Sequence, residues 1–305
     1  MPSTSAVATL REKLKSVRFV LTAEITPPAT SDPAELLAKA APLKGLADAV
    51  NVTDGAGARA HLGALTAASI LLQNGIEPIL QFTCRDKNRI ALQSDLMAAA
   101  ALGIENLLML KGDDPKAGDQ PDAKPVFDLD TVALTQMAVT MRDKGELPNG
   151  RKVSGRMKFF IGAGDVPIDP PPGWEPKSLK SKIDAGTQFV QTQFCMDAAV
   201  VRRYLARLVE CGVKLPMLIG ISPLRSSKSA RWMREKLYGT IISDAIVDRM
   251  DRAADPAVEG RRICLDLLEE LASIPGVSGA HLMAPGNETA IADVLNAAAG
   301  MKGRA

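Results

Sequence analysis

Short apolar, β-branched segments alternate along this chain with longer segments whose apolar residues recur at helical spacing. An apolar run rich in Val, Ile and Phe predicts a strand, and apolar residues three and four positions apart predict an amphipathic helix. The predicted strands lie at residues 19–25, 47–54, 78–84, 106–113, 158–163, 189–195, 216–221 and 279–284. The predicted helices lie at residues 33–42, 65–74, 89–102, 131–144, 178–185, 198–210, most of 229–274, and 289–299.

Strands that alternate with helices are typical of repeated βα units, which form either a closed barrel or a doubly wound sheet. The composition shows no linker-like change along the 305 residues. We therefore predict an α/β fold with a single (β/α)8 TIM barrel over residues 1–305 and extra helices near the C-terminus. Residues 1–16 are expected to be an N-terminal extension or a helix. The doubly wound sheet is the alternative architecture.

The composition excludes several classes of function. The chain is 46% hydrophobic and 24% charged, and its net charge is +2, so it lacks the positive field of a nucleic-acid-binding surface. Aromatic residues make up only 4%, which argues against a platform for stacking bases. No stretch is long and apolar enough to cross a membrane, and the N-terminus lacks the apolar core of a signal peptide. We expect a cytoplasmic protein.

Cysteine and histidine usage makes a metal site improbable. The 4 cysteines lie far apart, and the 2 histidines are His61 and His281. Neither the spacing of a zinc site nor that of a redox motif occurs. We therefore expect reduced thiols and no bound metal.

Glu24 is an acid within an apolar strand that Pro27 and Pro28 bring to an end. Burial of an unpaired carboxylate is costly and favours its protonated form. Glu24 is therefore either an acid that reaches water or caps the next helix, or a catalytic group.

Barrel enzymes carry their sites at the C-terminal ends of the strands. The polar residues at those ends are Glu24, Thr26, Thr53, Asp54, Gln81, Thr83, Lys111, Asp113, Asp165, Gln191, Gln193 and Ser222. Among its carboxylates this set includes the well-separated pair Glu24 and Asp113, and it also holds amides and one lysine, but no histidine. It suits a proton donor and hydrogen-bonding groups around an organic cofactor better than metal-assisted hydrolysis.

One glycine-rich segment matches a common motif only loosely. Residues 55–60 fit the dinucleotide pattern G-x-G-x-x-A, but the acid that should follow at the end of the next strand is missing. Glu77 precedes that strand instead. The glycines are better interpreted as a sharp turn or as a place where the backbone approaches a ligand.

The lysines leave two further interpretations open. Lys111 could form a Schiff base, as in barrel aldolases, although its neighbour Asp113 would keep it charged. Lys177, Lys180 and Lys182 lie close together on a short predicted helix. They form either a solvated helix face or a source of one or two cations for a cofactor diphosphate.

Five segments occur along the chain in a fixed order: AEITPP at 23–28, VTDGA at 52–56, FTC at 82–84, LKGD at 110–113, and DAG followed by QTQF within 184–194. In this order and spacing they resemble the methylenetetrahydrofolate reductase family, and the resemblance covers the chain from about Phe19 to Met283. The resemblance implies a barrel flavoprotein that holds FAD across the C-terminal end of the strands without a Rossmann domain. It also implies that NAD(P)H reduces FAD, and that a hydride then passes to 5,10-methylenetetrahydrofolate to give 5-methyltetrahydrofolate.

The resemblance assigns roles to residues at matching positions. Glu24 corresponds to a catalytic acid that assists opening of the folate imidazolidine ring to an iminium ion, and an apolar surrounding would keep its carboxyl protonated. Asp113 corresponds to an acid near the flavin that binds the pterin, and Gln193 to an amide used in turn by nicotinamide and folate. The positions implied to contact FAD are Thr53, Asp54, Ala56, Gln81, Lys111, Gly112, Asp113, Ala163, Gly164 and Lys182.

Some residues depart from the pattern of the family. Some relatives have tyrosine at the position of Asp54, histidine at Gln81 and arginine at Lys111, so the flavin contacts are expected to differ here. Some relatives also place an aromatic at the end of the fifth strand. The segment with Asn287 replaces one that can carry an arginine for the folate glutamate tail.

Several functional alternatives therefore stay open beside the reductase. The chain could be a flavin-dependent methyltetrahydrofolate oxidase, a reductase that takes electrons from a partner protein, or a binding subunit without turnover. A homo-oligomer is carried over from bacterial relatives. Feedback by S-adenosylmethionine is not expected, because the chain ends just after the predicted barrel.

Overall fold

The computed structural model describes residues 8–16 and 18–301. Its strands are β1 (Val20–Ile25), β2 (Ala49–Val52), β3 (Pro78–Thr83), β4 (Asn106–Leu110), β5 (Phe160–Asp165), β6 (Phe189–Met196), β7 (Met217–Ile221), β8 (Ile241–Ile242) and β9 (Val277–Leu282). Its α-helices are α1 (Leu10–Lys15), α2 (Pro33–Ala40), α3 (Ala64–Gln73), α4 (Arg89–Ala101), α5 (Thr131–Lys144), α6 (Lys177–Asp184), α7 (Ala198–Glu210), α8 (Ser227–Lys236), α9 (Asp244–Asp251), α10 (Pro256–Ala272) and α11 (Glu288–Ala297).

Parallel strands form a closed ring. Strand β1 pairs with β2 on one side and with β9 on the other, and the pairing of β5 with β6 closes the barrel. The short strand β8 lies outside the ring and pairs with β6. The prediction of a (β/α)8 TIM barrel is confirmed, and the doubly wound sheet is wrong.

Most predicted elements are present with small shifts of their ends. Strand β5 begins at Phe160, later than predicted, and continues to Asp165 because Gly164 and Asp165 still pair with β6. Strand β9 begins at Val277, which pairs with β7 through Met217. The two-residue strand β8 and three helices occupy the region that was predicted to be largely helical.

The lower part of the barrel interior is apolar. Phe160 and Phe189 stack there with ring centroids 4.8 Å apart. A Cβ at Gly162 would lie 2.3 Å from the Phe189 ring, so only glycine leaves room for this stack. The inward residues of this layer are Val20, Ala49, Ile79, Leu108, Phe160, Phe189 and Leu218.

Helix α1 closes the N-terminal end of the barrel and lies within the segment predicted to be an N-terminal extension or a helix. Leu10 and Leu14 pack into the apolar layer, and the backbone N–H of Leu10 donates to Glu77 Oε1 at 2.9 Å. Residues 1–7 lie outside the described residues. Since this end is plugged by apolar side chains, the opposite, C-terminal end is the place for a site.

The described helices are all too short or too polar to cross a membrane.

Candidate active site

Alternate residues of each barrel strand face the interior. The inward residues near the start of the strands form the apolar layer, and several inward residues nearer the carboxyl ends are polar. On β1, Val20 lies in the apolar layer, and Thr22 and Glu24 follow at the same inward parity. Leu21, Ala23 and Ile25 face outward and join the core between strands and helices. The strand is therefore apolar along its whole outer face, whereas its inner face changes from Val20 to the polar residues Thr22 and Glu24, which explains how it can carry an acid.

Glu24 lies at the open end of the interior, and its side chain is 16% exposed. Gln81 Nε2 donates to Glu24 Oε2 at 3.1 Å, and His281 Nε2 lies 3.7 Å from the same oxygen. The expectation of an apolar surrounding for this carboxyl is therefore wrong. Its neighbours are polar because inward-facing residues of β3 and of the adjacent strand β9 reach it.

A buried set of four polar side chains lies directly below Glu24. Thr22 Oγ1 lies 2.9 Å from His281 Nδ1, and the amides of Asn51 and Gln191 pair with each other at 2.6 and 3.1 Å. Gln191 Nε2 also donates to Thr22 Oγ1 at 3.4 Å. We call these residues, Thr22, Asn51, Gln191 and His281, the interior polar array.

Two loops meet at the carboxyl ends of β2 and β4. The backbone N–H of Gly57 donates to Asp113 Oδ2 at 2.9 Å, so the exposed Asp113 carboxylate faces the loop that contains Ala56. Gly57 has φ +62°, in the left-handed region that glycine adopts at little cost. The glycine-rich segment is thus a sharp turn that presents the Gly57 backbone N–H to an acid.

Arg85 links the same two loops through hydrogen bonds to a carbonyl oxygen of each. Its guanidinium is 4% exposed and donates from Nη1 to the carbonyl oxygens of Gly55 and Asp113 at 3.0 and 3.3 Å. The remaining nitrogens bind the Asp86 carboxylate, and these hydrogen bonds raise the pKa of Arg85. Gly112 has φ +89°, and a Cβ there would lie 2.9 Å from Arg85 Cβ. The Lys111–Gly112–Asp113 turn is therefore shaped around this arginine.

The Asp54 carboxylate is bound to the end of strand β3. Its Oδ2 accepts hydrogen bonds from the Thr83 backbone N–H at 3.0 Å and from the Thr83 hydroxyl at 2.9 Å. By contrast, the Thr53 hydroxyl is buried and has no hydrogen-bond partner. An unpartnered buried hydroxyl at this end of the barrel is available to a bound ligand.

Lys182 is the one of the three clustered lysines that reaches a strand end. Its ammonium donates to the Gly164 carbonyl oxygen at 2.6 Å. Burial lowers the pKa of Lys182, and the nearby Asp165 carboxylate opposes that shift. Asp165 itself accepts a hydrogen bond from the Tyr204 hydroxyl at 2.5 Å. Ala163, next to Gly164, is fully buried.

Neither Lys111 nor Gln193 forms a described hydrogen bond with Glu24 or Gln81. Lys111 is exposed, and its ammonium lies 5.6 Å from the Phe127 ring centroid. Gln193 is on the inward parity of β6, but its Oε1 accepts from the backbone N–H of Phe194 at 3.0 Å. The structure therefore groups the predicted site residues into three separate contacts. Glu24 contacts Gln81, Asp113 contacts the loop of Ala56, and Lys182 contacts Gly164.

Residues that sequence reasoning missed belong to these clusters. Arg85 follows Cys84, one position beyond the predicted third strand. His281, Thr22 and Asn51 lie inside strands rather than at their ends. The three strand residues could have been found from the sequence, because every second residue of a barrel strand faces the interior. Arg85 has no such signal, since it lies beyond its strand.

A closed parallel barrel with an acid–amide pair at its open end defines a TIM-barrel protein whose candidate site is built from carboxylates, amides and backbone groups. The described residues contain no cluster of metal ligands. The chain belongs to the methylenetetrahydrofolate reductase family, whose family model matches residues 9–299.

Individual relatives agree with this membership. The chain is 27% identical over 237 residues to a probable methylenetetrahydrofolate reductase (NADPH) of Caenorhabditis elegans, a match that covers 75% of this chain and 33% of the relative. It is 28% identical over 160 residues to the 5,10-methylenetetrahydrofolate reductase of Pectobacterium carotovorum, covering 51% of this chain and 47% of the relative. The matched segment thus spans a third to about half the length of these relatives.

A solved structure shares the fold. An uncharacterized protein from Clostridium thermocellum, which binds two copies of 5-methyl-5,6,7,8-tetrahydrofolic acid, superposes with a TM-score of 0.65 at 12% identity. The match covers 94% of this chain and 98% of that one. At this level of identity the likeness shows the barrel fold alone.

Proposed function

We propose that this chain is an FAD-dependent oxidoreductase that interconverts 5,10-methylenetetrahydrofolate and 5-methyltetrahydrofolate, with NAD(P)H as the electron donor. The observation that carries the proposal is the Glu24–Gln81 pair at the open end of a barrel in a chain of this family. The names of the relatives and the folate ligand of the Clostridium protein support the same substrate class.

The residues at the open end fit a flavin nucleotide. The Thr53 hydroxyl is buried without a partner, and the Lys182 ammonium suits a diphosphate. The loop of Ala56, the Gly112 turn and the Gly164 strand end offer backbone groups at the same rim. When bound, FAD would supply hydride transfer in two half-reactions.

Glu24 is the proton donor in this proposal. Gln81 donates to Oε2, which leaves Oε1 as the oxygen that can hold a proton and face the substrate. The proton would pass to a folate nitrogen as the imidazolidine ring opens, and the Gln81 amide would then stabilise the carboxylate that forms. Gln81 therefore orients the acid rather than reacting itself.

Asp113 supplies a negative charge just beyond the end of β4. Its carboxylate is exposed and held by the Gly57 N–H, so its position is defined without neutralisation by a salt bridge to Arg85, which binds the Asp113 carbonyl instead. A fixed negative charge there would bind the pterin ring and stabilise cationic charge that develops on the folate. Gln193, on the inward face of β6, is proposed to contact nicotinamide and folate in turn.

A Schiff-base function of Lys111 is the alternative from another class. Its amine is exposed, whereas Schiff-base lysines are activated by desolvation or by a neighbouring cation. The geometry therefore favours the folate reaction. Borohydride trapping with carbonyl substrates would reveal an adduct at Lys111 if the lysine function held.

The first test is cofactor uptake followed by anaerobic mixing. We expect the purified chain to retain or take up FAD and to show the visible absorption band of oxidised flavin. NADH or NADPH should bleach that band, and 5-methyltetrahydrofolate should bleach it in the reverse direction. A chain that takes up no flavin contradicts the proposal. Bleaching by 5-methyltetrahydrofolate alone would instead support the oxidase or the enzyme linked to a partner protein.

We expect FAD affinity to weaken as the pH rises through the lowered pKa of Lys182. The protonated amine binds a diphosphate, and burial makes it lose its proton below the usual lysine value of about 10.4. Lys182→Met should weaken FAD binding about tenfold at neutral pH and remove this pH dependence. The measurement is a fluorescence titration of FAD across the alkaline range. Lys177→Met, an exposed lysine on the same helix, is the control and should keep the slope.

If Lys182→Met kept both the affinity and the slope of the unaltered chain, Lys182 would have no part in holding the cofactor.

A further inference from the structure

His281 is the one member of the interior polar array that reaches Glu24. Its side chain is 2% exposed, its Nε2 lies 3.7 Å from Glu24 Oε2, and its Nδ1 lies 2.9 Å from Thr22 Oγ1. A buried imidazole between an acid and a hydroxyl can hold its single proton on either nitrogen. The nitrogen that holds it decides whether His281 can donate to Glu24.

The hydrogen bonds of the array favour one arrangement of donors and acceptors. Asn51 Nδ2 donates to Gln191 Oε1 at 2.6 Å, and Gln191 Nε2 uses its two hydrogens for Asn51 Oδ1 at 3.1 Å and Thr22 Oγ1 at 3.4 Å. The Thr22 oxygen accepts from Gln191 through one lone pair, and its own hydrogen can be donated to His281 Nδ1. An accepting Nδ1 places the proton of a neutral imidazole on Nε2, which faces Glu24.

We propose that His281 is a positioning residue for Glu24, held by Asn51, Gln191 and Thr22 in the tautomer that donates from Nε2 to the Glu24 carboxylate. This inference rests on the proposed role of Glu24 as the proton donor to folate. It assigns a function to four buried residues that touch neither the substrate nor the cofactor in that proposal.

The arrangement would act when Glu24 loses its proton. The proton leaves Glu24 Oε1 for a folate nitrogen, so negative charge appears on the carboxylate. Gln81 already donates to Oε2 at 3.1 Å, and His281 Nε2–H, now 3.7 Å away, would close to hydrogen-bond distance as that charge develops. His281 keeps its own proton throughout and stabilises the product carboxylate by a hydrogen bond alone.

The chain provides its own comparison for the tautomer. His61 is the other histidine, and its Nε2 accepts from the Gly55 backbone N–H at 2.8 Å while its Nδ1 lies 2.8 Å from the Leu62 carbonyl oxygen. A carbonyl oxygen can only accept, so His61 must carry its proton on Nδ1. The two histidines of one chain should therefore show opposite tautomers.

Nitrogen NMR of protein labelled with ¹⁵N-histidine measures this directly, and His61→Gln assigns the two sets of signals. We expect His281 protonated on Nε2 and His61 protonated on Nδ1 at neutral pH. Thr22→Val, which removes the hydroxyl that donates to Nδ1, should mix the His281 tautomers, whereas Thr22→Ser should not. A His281 that carries its proton on Nδ1, or on both nitrogens, overturns the proposal.

Kinetics separate positioning from a purely structural role. We expect His281→Leu to lower kcat for folate reduction about tenfold to hundredfold, since one preorganised donor to a developing charge is lost. The KM for folate and the rate of FAD reduction by NAD(P)H should stay within about twofold. His281→Gln, which can place an amide N–H near Glu24, should recover most of the lost kcat. Equal losses in both half-reactions, or no recovery with glutamine, overturn the proposal.

Failure of the proposed function would look different. In that case the unaltered chain would not turn over folate at all, while the tautomers of His61 and His281 could still be measured in the resting protein.

Discussion

Replacing Glu24 by glutamine is expected to lower the rate of folate reduction by at least about a thousandfold, while FAD uptake and FAD reduction by the donor continue. Glutamine has nearly the shape of glutamate and can still accept a hydrogen bond from Gln81, so the barrel end should keep its structure. It cannot hold and release a carboxylic proton. The measurement is rapid mixing of each half-reaction separately under anaerobic conditions.

Glu35→Gln is the matched control for this substitution. Glu35 is an exposed acid on α2, where its carboxylate accepts from the Thr30 hydroxyl. The same change of charge at this position should leave both half-reactions unaltered. Folate reduction at a near-normal rate in Glu24→Gln would remove Glu24 from the mechanism.

Replacing Asp113 by asparagine should lower folate turnover by about tenfold to hundredfold, less than the loss at Glu24. Asparagine keeps an oxygen that can accept from the Gly57 N–H, so the contact between the two loops should survive. The negative charge that stabilises the developing cation is lost, but the proton donor stays. Steady-state kcat and KM for folate, together with the rate of donor-driven FAD reduction, measure the effect.

Asp119→Asn tests whether loss of any negative charge in this loop has the same effect. Asp119 is exposed and lies a few residues further along the same loop. It should behave like the unaltered chain. If Asp113→Asn and Asp119→Asn lowered folate turnover equally, the effect would come from the negative charge of the loop as a whole. The position of the Asp113 carboxylate would then have no special role.

The barrel could be predicted from sequence because each strand is short, apolar and followed by an amphipathic helix. The ends of the strands were harder. Strand β5 continues through Gly164 and Asp165, residues that have low strand propensity, because pairing with β6 stabilises them. The strand β8 was missed because Ile241 and Ile242 form an apolar pair within a largely helical region, and only pairing with β6 makes them a strand.

The candidate site was only partly predictable. Position at a strand end selected Glu24 and Gln81 as candidates, and the structure brings these two side chains into contact. The surroundings of Glu24 could not be predicted, because His281 lies more than 250 residues away along the chain and reaches it only when the ring closes. Arg85 was missed for a similar reason, since its importance comes from the carbonyl oxygens of Gly55 and Asp113 in two other loops.

The most direct test of the proposed function is anaerobic rapid mixing of donor-reduced, FAD-loaded protein with 5,10-methylenetetrahydrofolate. We expect the visible band of oxidised flavin to return in the unaltered chain as 5-methyltetrahydrofolate forms, and not to return on the same timescale in Glu24→Gln. Return of the band at the same rate in both proteins, or no return in the unaltered chain, would contradict the proposed function with Glu24 as its proton donor.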